Sequence, residues 1–103
     1  MSVELETEIN VKEKIKEVVQ EPGKYKVIFD NDNETPMDFV VDLLVDIFRH
    51  SAQTAQELTM AIHEKGSAVV GLYTYEIAEQ KAVDLTKITR EHGYPVQVAI
   101  EKE

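Results

Sequence analysis

The sequence contains no cysteine. That excludes a disulfide framework, a thiolate zinc site and a cysteine nucleophile. Basic residues are scarce: 11 Lys and Arg stand against 20 Asp and Glu, a net charge of −9. Nucleic acid and anionic membrane attract clusters of Lys and Arg, so neither is expected as a partner. No apolar run approaches the roughly 18 residues of a membrane span. The first residues, MSVELETEIN, show neither a basic region nor an apolar one, so no secretory signal is expected. Glycine numbers only 4, and there is no Gly-rich phosphate loop, no GxSxG and no HExxH. What is left is 103 residues, 43 % of them hydrophobic. That suffices for one modest core. A soluble, cytoplasmic, single-domain chain is expected, without catalytic residues, metal or cofactor.

Residues 1–22 differ from the rest. Glu4, Glu6, Glu8, Glu13, Glu17 and Glu21 stand against Lys12, Lys14 and Lys16, and apolar residues are scattered. Such a segment reads as a mobile, solvated arm, with docking on a partner as the alternative. Pro22-Gly23 then marks a boundary, and residues 23–103 form the core domain.

Tyr25–Asp30 (YKVIFD) reads as a strand with Tyr25, Val27 and Phe29 on one face. A polar loop, Asp30–Glu34, follows. Thr35 suits a helix N-cap, Pro36 the first helical position and Asp38 the first turn. Met37, Val40, Val41, Leu44, Ile47 and Phe48 keep helical spacing through residue 48. A second helix runs from Ala52 to about Lys65, capped by Ser51 and stopped by Gly66, with Ala55, Leu58 and Ile62 as its stripe. Ser67–Tyr73 reads as a strand. Thr74 starts a third helix whose buried face is Ala78, Ala82, Leu85 and Ile88, and which Gly93 and Pro95 end. Val96, Val98 and Ile100 alternate as a last strand. The order β-α-α-β-α-β predicts an α+β two-layer sandwich: three helices on a small three-stranded antiparallel sheet. The strand order within it is not readable from pattern.

Asp30–Glu34 superficially suggests a calcium loop. Counted from Asp30, however, the sixth position is Thr35 rather than Gly and the twelfth is Val41 rather than Glu. A solvated turn is the simpler reading. His63, near the end of helix 2, reads from its position as a partly buried structural residue or as a functional one. His50 and His92 are expected at exposed helix ends. Met37 stands out because a flexible thioether beside a polar loop suits an adaptable apolar pocket. A binding module fits these features better than a small enzyme or a structural subunit.

The run Tyr25-Lys26-Val27-Ile28-Phe29-Asp30-Asn31-Asp32-Asn33-Glu34-Thr35-Pro36-Met37-Asp38-Phe39-Val40-Val41 resembles the signature of the ClpS family, the N-end-rule adaptors of bacterial AAA+ proteases. The similarity continues through Ala61-Ile62-His63-Glu64-Lys65-Gly66, Gly71-Leu72-Tyr73-Thr74-Tyr75-Glu76 and the residues up to Lys81, and Thr89–Val96. It covers about residues 24–102. The resemblance implies an adaptor without covalent chemistry, expected as a monomer. It would bind a bulky first residue, Leu, Phe, Tyr or Trp, of an N-degron polypeptide and deliver it to a ClpA- or ClpC-type unfoldase coupled to ClpP. It assigns Asn31, Asp32 and His63 to the α-amino group. Thr35, Met37, Val40, Thr59, Ile62 and Val96 become walls of a hydrophobic pocket, Met37 its gate against β-branched residues. Glu76 and Lys81 match an unfoldase-facing surface, and the arm matches the part that engages the unfoldase. Asn33 stands where the family usually has Asp, and Thr59 where Met is common. Two rivals remain: a docking module of ribosomal-stalk-like fold without N-degron specificity, which lacks this turn, and a small hydrolase using His63 and Asp32.

Overall fold

The computed structural model describes residues 23–103; the arm expected over residues 1–22 lies outside them. The elements are β1 (Tyr25–Asp30), α1 (Met37–Asp46), α2 (Ala52–Lys65), β2 (Ser67–Tyr73), α3 (Tyr75–Glu91) and β3 (Gln97–Lys102). This is the expected β-α-α-β-α-β order. The sheet runs β2-β1-β3, both pairings antiparallel, so the first strand of the described residues is the middle one in space.

The inward row of β1 anchors the core. Val27 and Phe29 are essentially inaccessible, packed with Leu44 of α1, Ala55 and Ile62 of α2, Val70 of β2 and Leu85 of α3. Fully burying one such side chain is worth about 1.5–3 kcal/mol. The outward row stays open. Ile28 pairs with Val69 on one side and Ala99 on the other, and Val69 is 45 % exposed.

Ser51 and Gly66 bound α2 as expected. The Ser51 hydroxyl accepts from the Thr54 N–H at 3.1 Å, and Gly66 turns left-handed at φ 95°. At α1 both ends differ from expectation. Thr35 is not the cap, because its hydroxyl is committed to Asp32. Pro36 is extended (ψ 143°), and its carbonyl accepts from Phe39 and Val40, so the helix begins at Met37. It stops at Asp46 rather than running through residue 48. Arg49 adopts φ 62° and the His50 N–H returns to the Leu44 carbonyl at 3.1 Å. An arginine here does what glycine usually does, so the stop carried no glycine signal. Ile47 and Phe48 are still buried, now from a turn.

Two further expectations change. On α2, Thr59 rather than Leu58 is the fully buried partner of Ala55 and Ile62; on α3, Thr89 joins Ala78 and Leu85. Both threonines back-bond, Thr59 to Ala55 O at 2.7 Å and Thr89 to Thr86 O at 3.1 Å. This leaves neither hydroxyl unpaired inside the core. His50 is half-buried, not exposed. Its Nε2 lies 2.6 Å from the Val70 carbonyl, so it carries the proton and donates.

The β1–β2 ladder slips between Val27 and Ile28, leaving Val70 as an extra residue on β2. Gly71 follows it directly, beneath the ring of Tyr73. A Cβ at Gly71 would lie 2.3 Å from Cε2 and 2.5 Å from the hydroxyl oxygen of Tyr73, whose ring also rests near Phe48 and under the Lys81 ammonium. Gly71→Ala is therefore expected to lose about 1–3 kcal/mol in urea unfolding, the scale of overpacking. An unchanged midpoint would mean that the Tyr73 ring moves aside without cost.

Candidate functional site

Two turns meet at one corner of the molecule. One follows β1; the other ends α2. The Asn31 N–H donates to the Gly66 carbonyl at 2.9 Å, which joins them. His63, in the last turn of α2, is thereby brought beside Asn31 and Asp32, more than 30 positions earlier in sequence. It is exposed, so the partly buried structural reading of His63 does not hold.

Asp32 organises the first turn. Its Oδ1 accepts from the N–H groups of Glu34 and Thr35, both at 2.8 Å, and from the Thr35 hydroxyl at 3.0 Å; its Oδ2 accepts from the same hydroxyl at 2.8 Å. Partial burial acts to raise the carboxyl's pKa. The bonds from Glu34 and Thr35, with the nearby Arg90 charge, outweigh it and hold the group below its ordinary value. Asp32 therefore stays an anion, and Oδ2 keeps capacity for a further donor. Arg90 is itself fixed by donating to the Tyr94 carbonyl at 2.8 Å.

Behind these polar groups lies a small hollow of about 10 Å³. It is lined by Phe29, Asn31, Asp32, Thr35, Met37, Val40, Thr59, Ile62 and His63. Three of its lining residues, Asn31, Asp32 and His63, have side chains that can accept hydrogen bonds. Its interior is apolar: Phe29, Val40 and Ile62 are buried, and the Thr59 hydroxyl is turned to its own helix backbone. Met37 is 38 % exposed at the lip. A hollow this size holds about one water. The arrangement suits a ligand with an ammonium at one end and an apolar side chain next to it.

Of the residues expected here, Val96 alone is not on the lining; it is buried in the core. Phe29 lines the hollow and was not named for it, although its inward place on β1 was readable from the alternation of that strand. Glu76 and Lys81 lie apart on α3. Glu76 is exposed in the first turn. Lys81 is half-buried, donating to the Ile47 carbonyl at 2.7 Å and lying 5.5 Å from the Tyr73 ring centre. It thus satisfies a carbonyl left open at the end of α1. Among the described residues, no three His, Asp or Glu side chains gather as a metal-ligand set, and no helix is long and apolar enough to cross a membrane.

The hydrogen bonds of Asp32 predict a pH signature. The folded pKa lies below the unfolded value of about 3.9. The stability contributed by the anion is thus complete above that value and is lost as pH falls through the folded one. Asp32→Ala should destabilise by about 1 kcal/mol near neutral pH, the scale of a net hydrogen bond. The gap to the unchanged protein should narrow once the carboxyl is protonated. Urea unfolding of both proteins at neutral and at strongly acidic pH measures it; a gap that stays constant removes the turn-holding role.

Comparison with known proteins places the chain in a family. The family described as ATP-dependent Clp protease adaptor protein ClpS matches residues 20–99. The ATP-dependent Clp protease adapter protein ClpS of Sodalis glossinidius is 42 % identical over 90 residues, covering 87 % of this chain and 85 % of the relative. Its namesake from Escherichia coli O127:H6 is 38 % identical over 98 residues, covering 95 % and 92 %. Among solved structures, Agrobacterium tumefaciens ClpS2 bound to L-phenylalaninamide superposes with a TM-score of 0.77 at 40 % identity, covering 80 % of this chain and 99 % of that one. Neither the ribosomal-stalk-like module nor the small hydrolase accounts for these matches. With its acceptor-rimmed apolar hollow and these relatives, the chain belongs to the ClpS family of adaptor proteins of the Clp protease.

Proposed function

We propose that this adaptor binds the free amino terminus of polypeptides that begin with a bulky, unbranched-at-Cβ apolar residue, and presents them to a Clp unfoldase. The observation that carries the reading is the acceptor set at the mouth of the apolar hollow: Asn31, Asp32 and His63 beside Phe29, Val40 and Ile62. An α-ammonium offers three donors, and the three side chains offer one acceptor each. The ligand of the Agrobacterium tumefaciens structure, L-phenylalaninamide, has the same two parts, a free amine and a bulky apolar side chain.

The energies are adequate. A hydrogen bond to a charged group contributes about 1.5–3 kcal/mol. Burying a Leu- or Phe-sized side chain adds about 1.5–3 kcal/mol. After the cost of association, affinity in the micromolar range follows. Met37 acts as the gate: a substrate branched at Cβ meets its side chain at the lip, whereas Leu and Phe branch further in. Asn33 is exposed and off the lining, so its lacking a charge weakens the field at the mouth without removing a direct acceptor.

In this reading a ClpA- or ClpC-type unfoldase coupled to ClpP receives the substrate. Glu76 and Lys81 on α3 contribute to docking, and residues 1–22 engage the unfoldase. Lys81 keeps two of its three ammonium protons for a partner while the third holds Ile47 O.

Blocking the substrate's amine is the direct test. Acetylation removes the charge and adds bulk where Asp32, Asn31 and His63 converge. A Leu-initiated peptide should lose at least about 2 kcal/mol on acetylation, or roughly thirtyfold in Kd by fluorescence anisotropy. Equal binding of the free and acetylated peptides would end the proposal.

Delivery separates the arm from the pocket. A chain starting at Gly23 should bind Leu-initiated peptides within about twofold of the full chain, a difference below 0.5 kcal/mol at about 1.4 kcal/mol per tenfold. It should fail to accelerate degradation of a Leu-initiated protein by the complete unfoldase and peptidase. Normal acceleration by the shortened chain would remove the arm from delivery.

A further inference from the structure

Beside the hollow lies an open groove of about 520 Å³ between α1 and α2. Met37, Val41 and Met60 form its apolar walls, and Asp38, Asp42 and Gln56 place side-chain oxygens around them. Met37 and Thr59 belong to both spaces; they are the partition between them.

That partition is thin and one-sided in its mobility. Thr59 is short, and its hydroxyl is held at 2.7 Å on the Ala55 carbonyl, so it cannot swing to thicken the wall. Met37 is unbranched and 38 % exposed, and so is free to change rotamer. The hollow by itself, at about 10 Å³, holds no substrate side chain. The movement of Met37 that admits one also opens the hollow towards the groove.

We propose that a long aromatic first residue extends past Thr59 into the α1–α2 groove, and that this makes first residues with a ring donor, tryptophan foremost, the preferred substrates of this adaptor. The inference rests on the first-residue reading above. Three features of the groove fit an indole. The thioethers of Met37 and Met60 flank it, and sulfur packs favourably against aromatic rings. An indole N–H can donate to an acceptor beside it, and Asp38, Asp42 and Gln56 on the lining each carry side-chain oxygens. The groove also adjoins the hollow, separated from it by Met37 and Thr59. Leucine is too short to cross the partition. Phenylalanine brings no donor to the acceptors, and tyrosine brings one on a smaller apolar body.

The test uses the full chain and peptides that differ only at residue 1: Leu, Phe, Tyr and Trp. Two measurements are made. In the first, Met60, 44 % exposed on the groove and absent from the hollow, is changed to fill the groove from its far wall. Met60→Trp should weaken the Trp peptide about tenfold by fluorescence anisotropy while the Leu peptide stays within about twofold. The second needs no variant: the 13C-labelled methyl of Met60 should show a ring-current shift with the Trp peptide and none with the Leu peptide. Equal weakening of both peptides by Met60→Trp, or a Met60 methyl unmoved by the Trp peptide, overturns the proposal. Failure of the underlying reading looks different: the unchanged protein would then bind none of the four peptides, Leu included, and the groove proposal would fall with it.

Discussion

The backbone N–H of Asn31 donates to the carbonyl of Gly66 across 2.9 Å, and the candidate site is built around that bond. It ties the exit of β1 to the end of α2, so the acceptors of the loop and the imidazole of His63 come to one mouth. Gly66 makes the bond possible by turning left-handed at φ 95°, a conformation in which a side chain is strained. The Asp32 carboxylate then holds the loop closed through Glu34 and Thr35. The same anion has two duties, to shape the turn and to offer an oxygen outward. This division is available only because a carboxylate accepts more bonds than the turn consumes.

The apolar side of the site has a comparable economy. Phe29, Val40 and Ile62 belong at once to the protein core and to the lining of the hollow. A change at these positions would alter both the fold and the ligand space. Only Met37 and the polar mouth can vary without disturbing the sheet–helix packing. In the proposed reading, specificity resides in the few side chains that touch the hollow but not the centre of the core.

Much of this was legible in the sequence. The limits of β1, α2 and β2 followed from Ser51, Gly66 and the β-rich runs, because in each case the residue that stops the element is the one physics favours there. The end of α1 was not legible. Arg49 takes the left-handed turn, and only the His50 N–H bond to Leu44 reveals it. The buried threonines of α2 and α3 were hidden for a related reason. Thr59 and Thr89 read as polar until their hydroxyls are seen to bond within their own helices. At the site, the polar mouth and most of the apolar lining were named from a resemblance carried by the Asn31–Met37 turn and the His63 segment. No periodicity would have placed His63 next to Asn31, since only the tertiary bond to Gly66 does so. Nor did the resemblance foresee that Val96 would be occupied in the core, that Lys81 would be capping Ile47, or that a groove would adjoin the hollow.

The middle place of β1 in the sheet also sets the order in which the protein can assemble. Its partners come late: Tyr25 pairs with Tyr73 on one side and with Lys102 on the other. Contacts between residues so distant in sequence slow folding, because a long loop must close before they stabilise anything. During synthesis β1 leaves the ribosome first and waits. One edge stays open until residues 67–73 are made, and the other until the last strand emerges. An unpaired, partly apolar strand is vulnerable to association with other chains while it waits. For a nascent adaptor of proteolysis, this interval is the period of greatest exposure to misassembly, and it ends only when Gln97–Lys102 have been made.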